Sequence, residues 1–160
     1  MTKLMPEKQK RSARKQAEPD LGILSSWLLF AVQRELFETM EREGFEKLGP
    51  RHGAVLAYLD EEGTRATDLA ALSGQHKQVI GTLIDELVEA GCVERRPDPQ
   101  DRRAKLIVPT EAGLERMRRS DAIMAAIERR YAKELGEEDY AQFKRAFTRI
   151  AQAARSRERA

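Results

Sequence analysis

The sequence has few of the residues that build most enzyme active sites and metal centres. Its 160 residues include one cysteine and two histidines, and aromatic residues make up 6%. Neither His52 nor His76 lies in a metal-binding spacing such as HExxH, and no glycine-rich phosphate loop is present. The single Cys92 cannot form an intrachain disulfide; a buried, inert thiol is the main interpretation and a redox sensor the alternative. We therefore predict a protein that is not an enzyme and has no cofactor or metal ion.

Long hydrophobic runs and a strong net charge are also missing. No apolar run approaches the roughly 20 residues that a membrane span requires, and the N-terminus has no hydrophobic signal region. Hydrophobic residues make up 41% and charged residues 35%, yet the formal net charge is only +2. This composition is typical of a helix-rich protein with long solvated faces, and the length is that of one domain. We predict a cytoplasmic protein that does not bind membranes.

Hydrophobic spacing predicts three helices in the first half of the chain. The first is long and amphipathic, begins after an N-cap at Asp20 and ends near Arg42. The second follows Pro50 and ends before Gly63, and a short third helix is capped by Thr67. Residues 1–19 are polar, basic and without periodicity, so they are predicted to form a disordered arm. This arm is either a solvated tail or a segment that contacts DNA phosphates.

A fourth helix is predicted to start between residues 73 and 77 and to end at Gly91, which suits the position after a helix. Its apolar face comprises Ile80, Leu83, Ile84 and Leu87. Its outward stripe comprises Lys77, Gln78, Gly81, Thr82 and Asp85, with His76 just before it. Gln78 and Thr82 are suited to base edges and Lys77 to a phosphate, whereas Asp85 would repel phosphates unless paired.

The stripe also has a simpler interpretation, that of an ordinary polar helix face. Gly81 bears on the choice because glycine inside a helix costs about 1 kcal/mol relative to alanine. A close approach of the backbone to DNA would explain it, and so would mere tolerance. The segment that follows the predicted end of this helix favours the interpretation of the stripe as a DNA-binding face.

Residues 91–113 predict a strand, a tight charged turn, a second strand and the start of a helix. The strands are residues 92–96 and 104–108, and the turn is residues 97–101. The rim carries five cations: Arg95, Arg96, Arg102, Arg103 and Lys105. Asp101 lies two residues before Arg103 and is placed to orient it. A helix-turn-helix followed by a basic hairpin is typical of a DNA-binding protein.

The run Asp98-Pro99-Gln100-Asp101-Arg102-Arg103, followed by Thr110-Glu111-Ala112-Gly113, resembles the wing signature of the multiple antibiotic resistance regulator (MarR) family. That signature is DP-x-D-x-R, a short strand and LT-x-x-G. The similarity continues upstream through residues 83–87 and Gly91, and more loosely from about Leu21 to Ala153. Pro109 departs from it, because the family usually has leucine there. Since proline lacks a ladder donor, the second strand is predicted to end at Val108.

Two long helices are predicted after the wing. Thr110 caps the first, Gly136 ends it, and the second carries an apolar stripe that includes Phe143, Phe147 and Ile150. Together with the first helix, these helices have more apolar surface than a small core can cover, so a homodimer is predicted. The resemblance implies the same, because family members are dimers joined by their first, fifth and sixth helices, with recognition helices entering successive major grooves.

The predicted fold class is therefore mainly α with a small β-hairpin: a winged helix-turn-helix lobe at about residues 50–110 within a single domain of residues 20–155. Dimerisation helices are predicted at about 20–45 and 111–155. The predicted function is sequence-specific binding of double-stranded DNA, and the resemblance implies a regulatory role, as a repressor on a pseudo-palindromic operator. The alternative is a nucleoid-associated protein without sequence preference.

The resemblance also implies a small, often aromatic or phenolic effector in a cleft between the dimer helices and the DNA-binding lobe. Five side chains are candidates for its lining: Trp27, Phe30, His52, Leu56 and Tyr58. The same residues have a simpler interpretation as core and interface side chains.

Overall fold

A computed structural model describes residues 10–45 and 48–158 of the chain. The chain divides into two compact units, Met1–Glu35 and Leu36–Ala160, which are described separately. Helices are numbered α1 to α7 and strands β1 to β3. None of the helices in these two ranges combines the length and apolarity needed to cross a membrane.

The first unit contains α1 (Arg11–Ala17) and most of α2 (Leu21–Arg42). The prediction that residues 1–19 lack regular structure is wrong for α1; residues 1–9 lie outside the described residues. Arginine, lysine, glutamine and alanine are strong helix formers, so this segment forms a helix although none of its residues is buried. The predicted cap of α2 is confirmed, because the Ile23 amide donates to Asp20 Oδ1 at 3.0 Å.

The second unit continues with the end of α2, a 3-10 turn and five further helices. Their bounds are Pro50–His52 for the turn, then α3 (Gly53–Leu56), α4 (Ala66–Ser73), α5 (Lys77–Glu89), α6 (Glu111–Leu135) and α7 (Glu137–Glu158). The second predicted helix ends earlier than expected, at Leu56. The chain turns there, with the Asp60 amide bound to Thr64 Oγ1 at 3.0 Å and Gly63 at a φ of +104°.

The predicted start of the third helix is also corrected. Helix α4 begins at Ala66 with the extended residue Arg65 as its N-cap, and no side chain caps it. Thr67 lies inside the first turn, because the preceding Thr64–Arg65 pair forms a strand, β1. This strand was not predicted, since two residues are too few to show an alternating pattern.

The three strands form an antiparallel sheet in the order β1-β3-β2, where β2 is Val93–Pro97 and β3 is Lys105–Pro109. The prediction that Pro109 ends the strand early is wrong: it pairs with Val93. The Thr110 amide donates to the Cys92 carbonyl at 3.0 Å, so that neighbouring pair is hydrogen-bonded. Bonded and non-bonded pairs alternate in an antiparallel ladder, so the pair formed by Pro109 needs no N–H donor.

The core of the second unit lies between α3, α4, α5 and the sheet. The four predicted inner residues of α5 are all buried, which confirms the phase of this helix. They pack in one cluster with Val55, Leu69, Cys92, Val93 and Ile107. The Cys92 thiol is buried. Gly91, at a φ of +70°, occupies the left-handed position predicted after α5.

Helix α6 is joined to the base of the hairpin by a close backbone approach. The Gly113 amide donates to the predicted cap, Thr110 Oγ1, at 3.1 Å, and that hydroxyl donates to the Gly91 carbonyl at 2.6 Å. A Cβ atom at Gly113 would lie 1.9 Å from the Cys92 carbonyl oxygen. Only glycine fits there, which explains its place in the motif.

The apolar stripe of α7 is exposed in the single chain. Phe143, Phe147 and Ile150 all leave a third or more of their surface open to solvent, and the first two rings stack with centroids 5.6 Å apart. As predicted, Gly136 separates α6 from α7, with a φ of +92°.

Candidate nucleic-acid interface

Helices α4 and α5 form a helix-turn-helix with a tight connection. Gly74 ends α4 in the left-handed conformation, and its amide donates to the Ala70 carbonyl at 3.0 Å. His76 is the N-cap residue of α5, with an extended backbone. His76, Lys77, Gln78 and Thr82 are exposed and Gly81 is half-buried. The outward stripe predicted from the sequence is therefore accessible.

Asp85 on this stripe is paired with the hairpin. Its Oδ1 lies 2.5 Å from Arg95 Nη2 of β2. This ion pair offsets a negative charge that would repel phosphates, and it connects α5 to the wing. Arg96 also contacts an acid, because its Nε donates to Glu94 Oε1 at 2.7 Å.

The other three cations of the wing rim are available to bind DNA phosphates. Arg102, Arg103 and Lys105 are exposed, and none forms an ion pair with another residue of the described ranges. The wing therefore presents positive charge at its tip and on β3, while the arginines of β2 share theirs with neighbouring acids. Such a tip is suited to phosphates or to a groove with negative potential.

The wing tip is held by aspartate side chains that accept backbone hydrogen bonds. Asp98 Oδ1 accepts from the Gln100 amide at 2.8 Å, and Asp101 Oδ1 accepts from the Arg103 amide at 3.0 Å. The Asp98 amide donates to the Ala104 carbonyl at 3.1 Å and closes the loop. Asp101 thus contacts the main chain of Arg103, and the predicted orientation of the Arg103 side chain by Asp101 stays a prediction.

Asp98 also anchors the wing to the rest of the lobe. It is buried, and its Oδ2 lies 2.7 Å from Nε of Arg65, the residue that precedes α4. The hydrogen bond from the Gln100 amide, followed by that from Arg65, lowers the pKa of Asp98 below its ordinary value. The carboxylate raises the pKa of Arg65 in return. Sequence reasoning missed Arg65, because nothing in the pattern connects two residues 33 positions apart.

Glycine at position 81 is not required by the protein interior. A Cβ built at Gly81 meets no atom within 4 Å. Packing within the described residues therefore does not explain why α5 contains a glycine here, although glycine destabilises a helix. Close approach of the backbone to DNA and mere tolerance of glycine both stay predictions.

Of the five candidate effector residues, His52 and Leu56 lie in the wall of one cavity of about 230 Å³. The wall also includes Met40, Arg116 and Ser120. Tyr58 is half-buried against the core cluster. Trp27 and Phe30 belong to the other unit, where both are more than half exposed.

His52 connects the cavity wall to α5. Its ring is buried, and Nε2 lies 2.8 Å from Glu86 Oε2. Nδ1 lies 3.1 Å from the Gly49 amide nitrogen, and if it accepts that proton, Nε2 carries the hydrogen donated to Glu86. Arg51 Nη2 contacts the same carboxylate at 2.8 Å. The sequence did not indicate this link, because the partners are 34 residues apart.

Comparison with known proteins places this lobe among transcription regulators. A model described as "MarR family" matches residues 47–104. The structure of CouR from Rhodococcus jostii bound to p-coumaroyl-CoA is 31% identical, with 83% of this chain and 92% of that chain covered and a TM-score of 0.67. A MarR-family transcriptional regulator from a Rhodococcus species is 29% identical, with 89% and 96% covered and a TM-score of 0.64.

A more distant structure has the same fold. The MepR–DNA complex of S. aureus is 20% identical, covers 85% of this chain and 99% of that chain, and has a TM-score of 0.71. No curated protein sequence matched the chain. The predicted winged helix-turn-helix fold is confirmed.

Proposed function

The chain belongs to the MarR family of transcriptional regulators, and we propose that it is a ligand-responsive repressor that binds a pseudo-palindromic DNA operator as a homodimer. One observation supports the DNA-binding surface: the exposed polar stripe of α5 lies beside a wing with cations that are unpaired within the described residues, and Arg95 offsets the charge of Asp85, the acid at the end of that stripe. The two elements then present a continuous surface to one duplex.

The side chains of this surface divide into two roles. Lys77, Arg102, Arg103 and Lys105 supply charge to phosphates, which adds affinity without sequence information. Gln78 on α5 can bond bidentately to adenine in the major groove. His76, Arg95 and Arg96 are further members of this surface, and Asp101 holds the wing tip in shape by accepting from the Arg103 amide. The half-buried Gly81 lets the helix backbone approach the bases.

Dimerisation places two copies of this surface on one DNA. The exposed stripe of Phe143, Phe147 and Ile150 is apolar enough to require cover, and a second chain supplies it. A twofold axis places the two α5 helices about 34–36 Å apart, the spacing of successive major grooves. The operator is then an inverted repeat.

The effector proposal rests on the cavity beside His52. CouR is bound to p-coumaroyl-CoA, an aromatic acyl thioester, and a cavity of about 230 Å³ can hold an aromatic group. A ligand that displaces the His52 ring changes the hydrogen bond to Glu86 on α5, which gives a direct route from the cavity to the DNA-binding helix. Leu56 would contact the same ligand, while Trp27, Phe30 and Tyr58 stay predictions.

Selection of bound sequences from a random DNA pool tests the proposed function. The expected result is enrichment of an inverted repeat with half-sites about one helical turn apart. Enrichment of no sequence, with binding that falls steeply as salt rises, would instead indicate the nucleoid-associated class.

The wing is tested by a matched pair of charge-removing substitutions. Arg103→Ala should weaken operator binding by about 1–3 kcal/mol. Arg129→Ala removes the same charge from an exposed position on α6 and should leave affinity nearly unchanged. Fluorescence anisotropy compares the two, and equal affinities with normal folding would contradict the wing assignment.

A further inference from the structure

The hydroxyl group of Thr82 is already engaged within α5. Its Oγ1 donates to the Gln78 carbonyl, one turn earlier, at 3.1 Å. A threonine hydroxyl has a single proton, so it has no donor left for a base edge. Because Oγ1 is turned back to this carbonyl, the methyl group occupies the other γ position. Thr82 is exposed as a residue, and its methyl group is the branch of the side chain that makes no hydrogen bond within the helix.

Val79 lies next to Thr82 on the helix surface. The two residues are separated by three positions, the spacing at which helical side chains are neighbours. Val79 is 43% exposed, whereas Ile80 beside it is fully buried. The core therefore uses Ile80 and leaves the branched side chain of Val79 outside. We call Val79 and the Thr82 methyl group the methyl patch.

The methyl patch lies in the N-terminal half of α5, among the groups that face DNA in the proposed function. Gln78 precedes Val79, and Gly81 precedes Thr82 and leaves open space around the backbone. The N-terminal residues of a recognition helix are those that contact base edges. In the major groove, thymine is the one standard base that presents a methyl group.

We propose that the methyl patch binds the C5-methyl group of one thymine in each half-site, so that α5 recognises thymine by apolar contact and not through the Thr82 hydroxyl. This inference rests on the proposed function, since it requires a sequence-specific complex. It adds a base preference and assigns it to two residues. It also specifies how Thr82, which the sequence predicts to reach a base edge, makes that contact: through its methyl group.

The test removes the methyl group from the DNA. In the selected operator, each thymine is replaced in turn by deoxyuridine, which keeps base pairing and loses only C5-methyl. Wild-type protein should lose about fourfold in affinity at one thymine per half-site, the effect of burying one carbon group. Val79→Ala should bind the unmodified operator more weakly and lose its sensitivity to this replacement. Gln78→Ala should keep that sensitivity.

Two substitutions at Thr82 separate the methyl group from the hydroxyl. Thr82→Val keeps the methyl group and should retain both affinity and sensitivity to deoxyuridine. Thr82→Ser keeps the hydroxyl and should lose both. Circular dichroism and thermal unfolding establish that each variant is folded.

The opposite ranking, with Thr82→Ser like wild type and Thr82→Val impaired, would overturn the inference. Equal affinity for every deoxyuridine-substituted operator would also overturn it. In both cases, selection of an inverted repeat would still support the proposed function. If selection yields no preferred sequence, the proposed function and this inference fail together.

Discussion

Replacing Gly113 by alanine tests the contact that joins the wing to α6. The added Cβ would lie 1.9 Å from the Cys92 carbonyl oxygen and 3.0 Å from its carbon, although real Cβ atoms essentially never come closer than 3.0 Å to such neighbours. Helix α6 must therefore move away from the hairpin by about 1 Å. Both groups are backbone, so no side-chain rotation relieves the overlap.

The cost follows from the bonds at this position. Overpacking in a well-packed region costs about 1–3 kcal/mol. The movement also breaks two hydrogen bonds, from the Thr110 amide to the Cys92 carbonyl and from the Thr110 hydroxyl to the Gly91 carbonyl, and each loss adds about 0.5–1.5 kcal/mol. The higher helix propensity of alanine offsets up to about 1 kcal/mol of this loss. The expected net loss in the free energy of unfolding is about 1–6 kcal/mol.

Urea unfolding at fixed protein concentration measures this loss, because the stability of a dimer depends on concentration. The control is Gly81→Ala, a helical glycine with no atom within 4 Å of the added Cβ, which should stabilise the fold by about 0.5–1 kcal/mol. If Gly113→Ala proves as stable as wild type, the close approach is not real. The control also reports on DNA, since weaker operator binding by a more stable Gly81→Ala would support close backbone approach.

Three further outcomes are expected. Phe147→Asp should abolish dimerisation and operator binding together, because the dimer would bury an unpaired charge; sedimentation showing a wild-type monomer at micromolar concentration would contradict this. Lys77→Ala should lower operator affinity nearly uniformly across sequences and reduce the salt slope by about one, as measured by titration over a range of salt concentrations. Folding lowers the pKa of Asp98, so its carboxylate stabilises the protein at pH values above the ordinary pKa near 3.8, and this stabilisation is lost as the pH falls through the pKa of the folded state. The difference in unfolding midpoint between wild type and Asp98→Asn should therefore be larger at pH 7 than at pH 3. A difference independent of pH would refute the ion-pair account.

Local signals in the sequence predicted most of the helices and their ends. Asp20 and Thr110 cap α2 and α6 as expected, because a capping side chain bonds to an amide only three residues away. The apolar period of α5 predicted its buried face for the same reason. Local reasoning failed where the pattern was short or ambiguous, as with the two-residue strand β1 and the arm that contains α1.

Pro109 shows how a correct local rule can give a wrong boundary. Proline cannot donate to a strand ladder, and the sequence supports that statement. Whether a donor is needed depends on the pairing register, which the Thr110–Cys92 hydrogen bond defines. Only the assembled sheet decides it.

The sequence by itself determined the family of the fold, the cationic wing and the outward stripe of α5, since each depends on residue type and short spacing. The tertiary structure alone decided which charges remain available for DNA. Arg95 is engaged by Asp85, Arg65 anchors Asp98, and Glu86 binds the cavity-wall His52. These partners are 10 to 34 residues apart along the chain, and every arginine looks alike in sequence until folding brings a particular carboxylate within hydrogen-bonding distance.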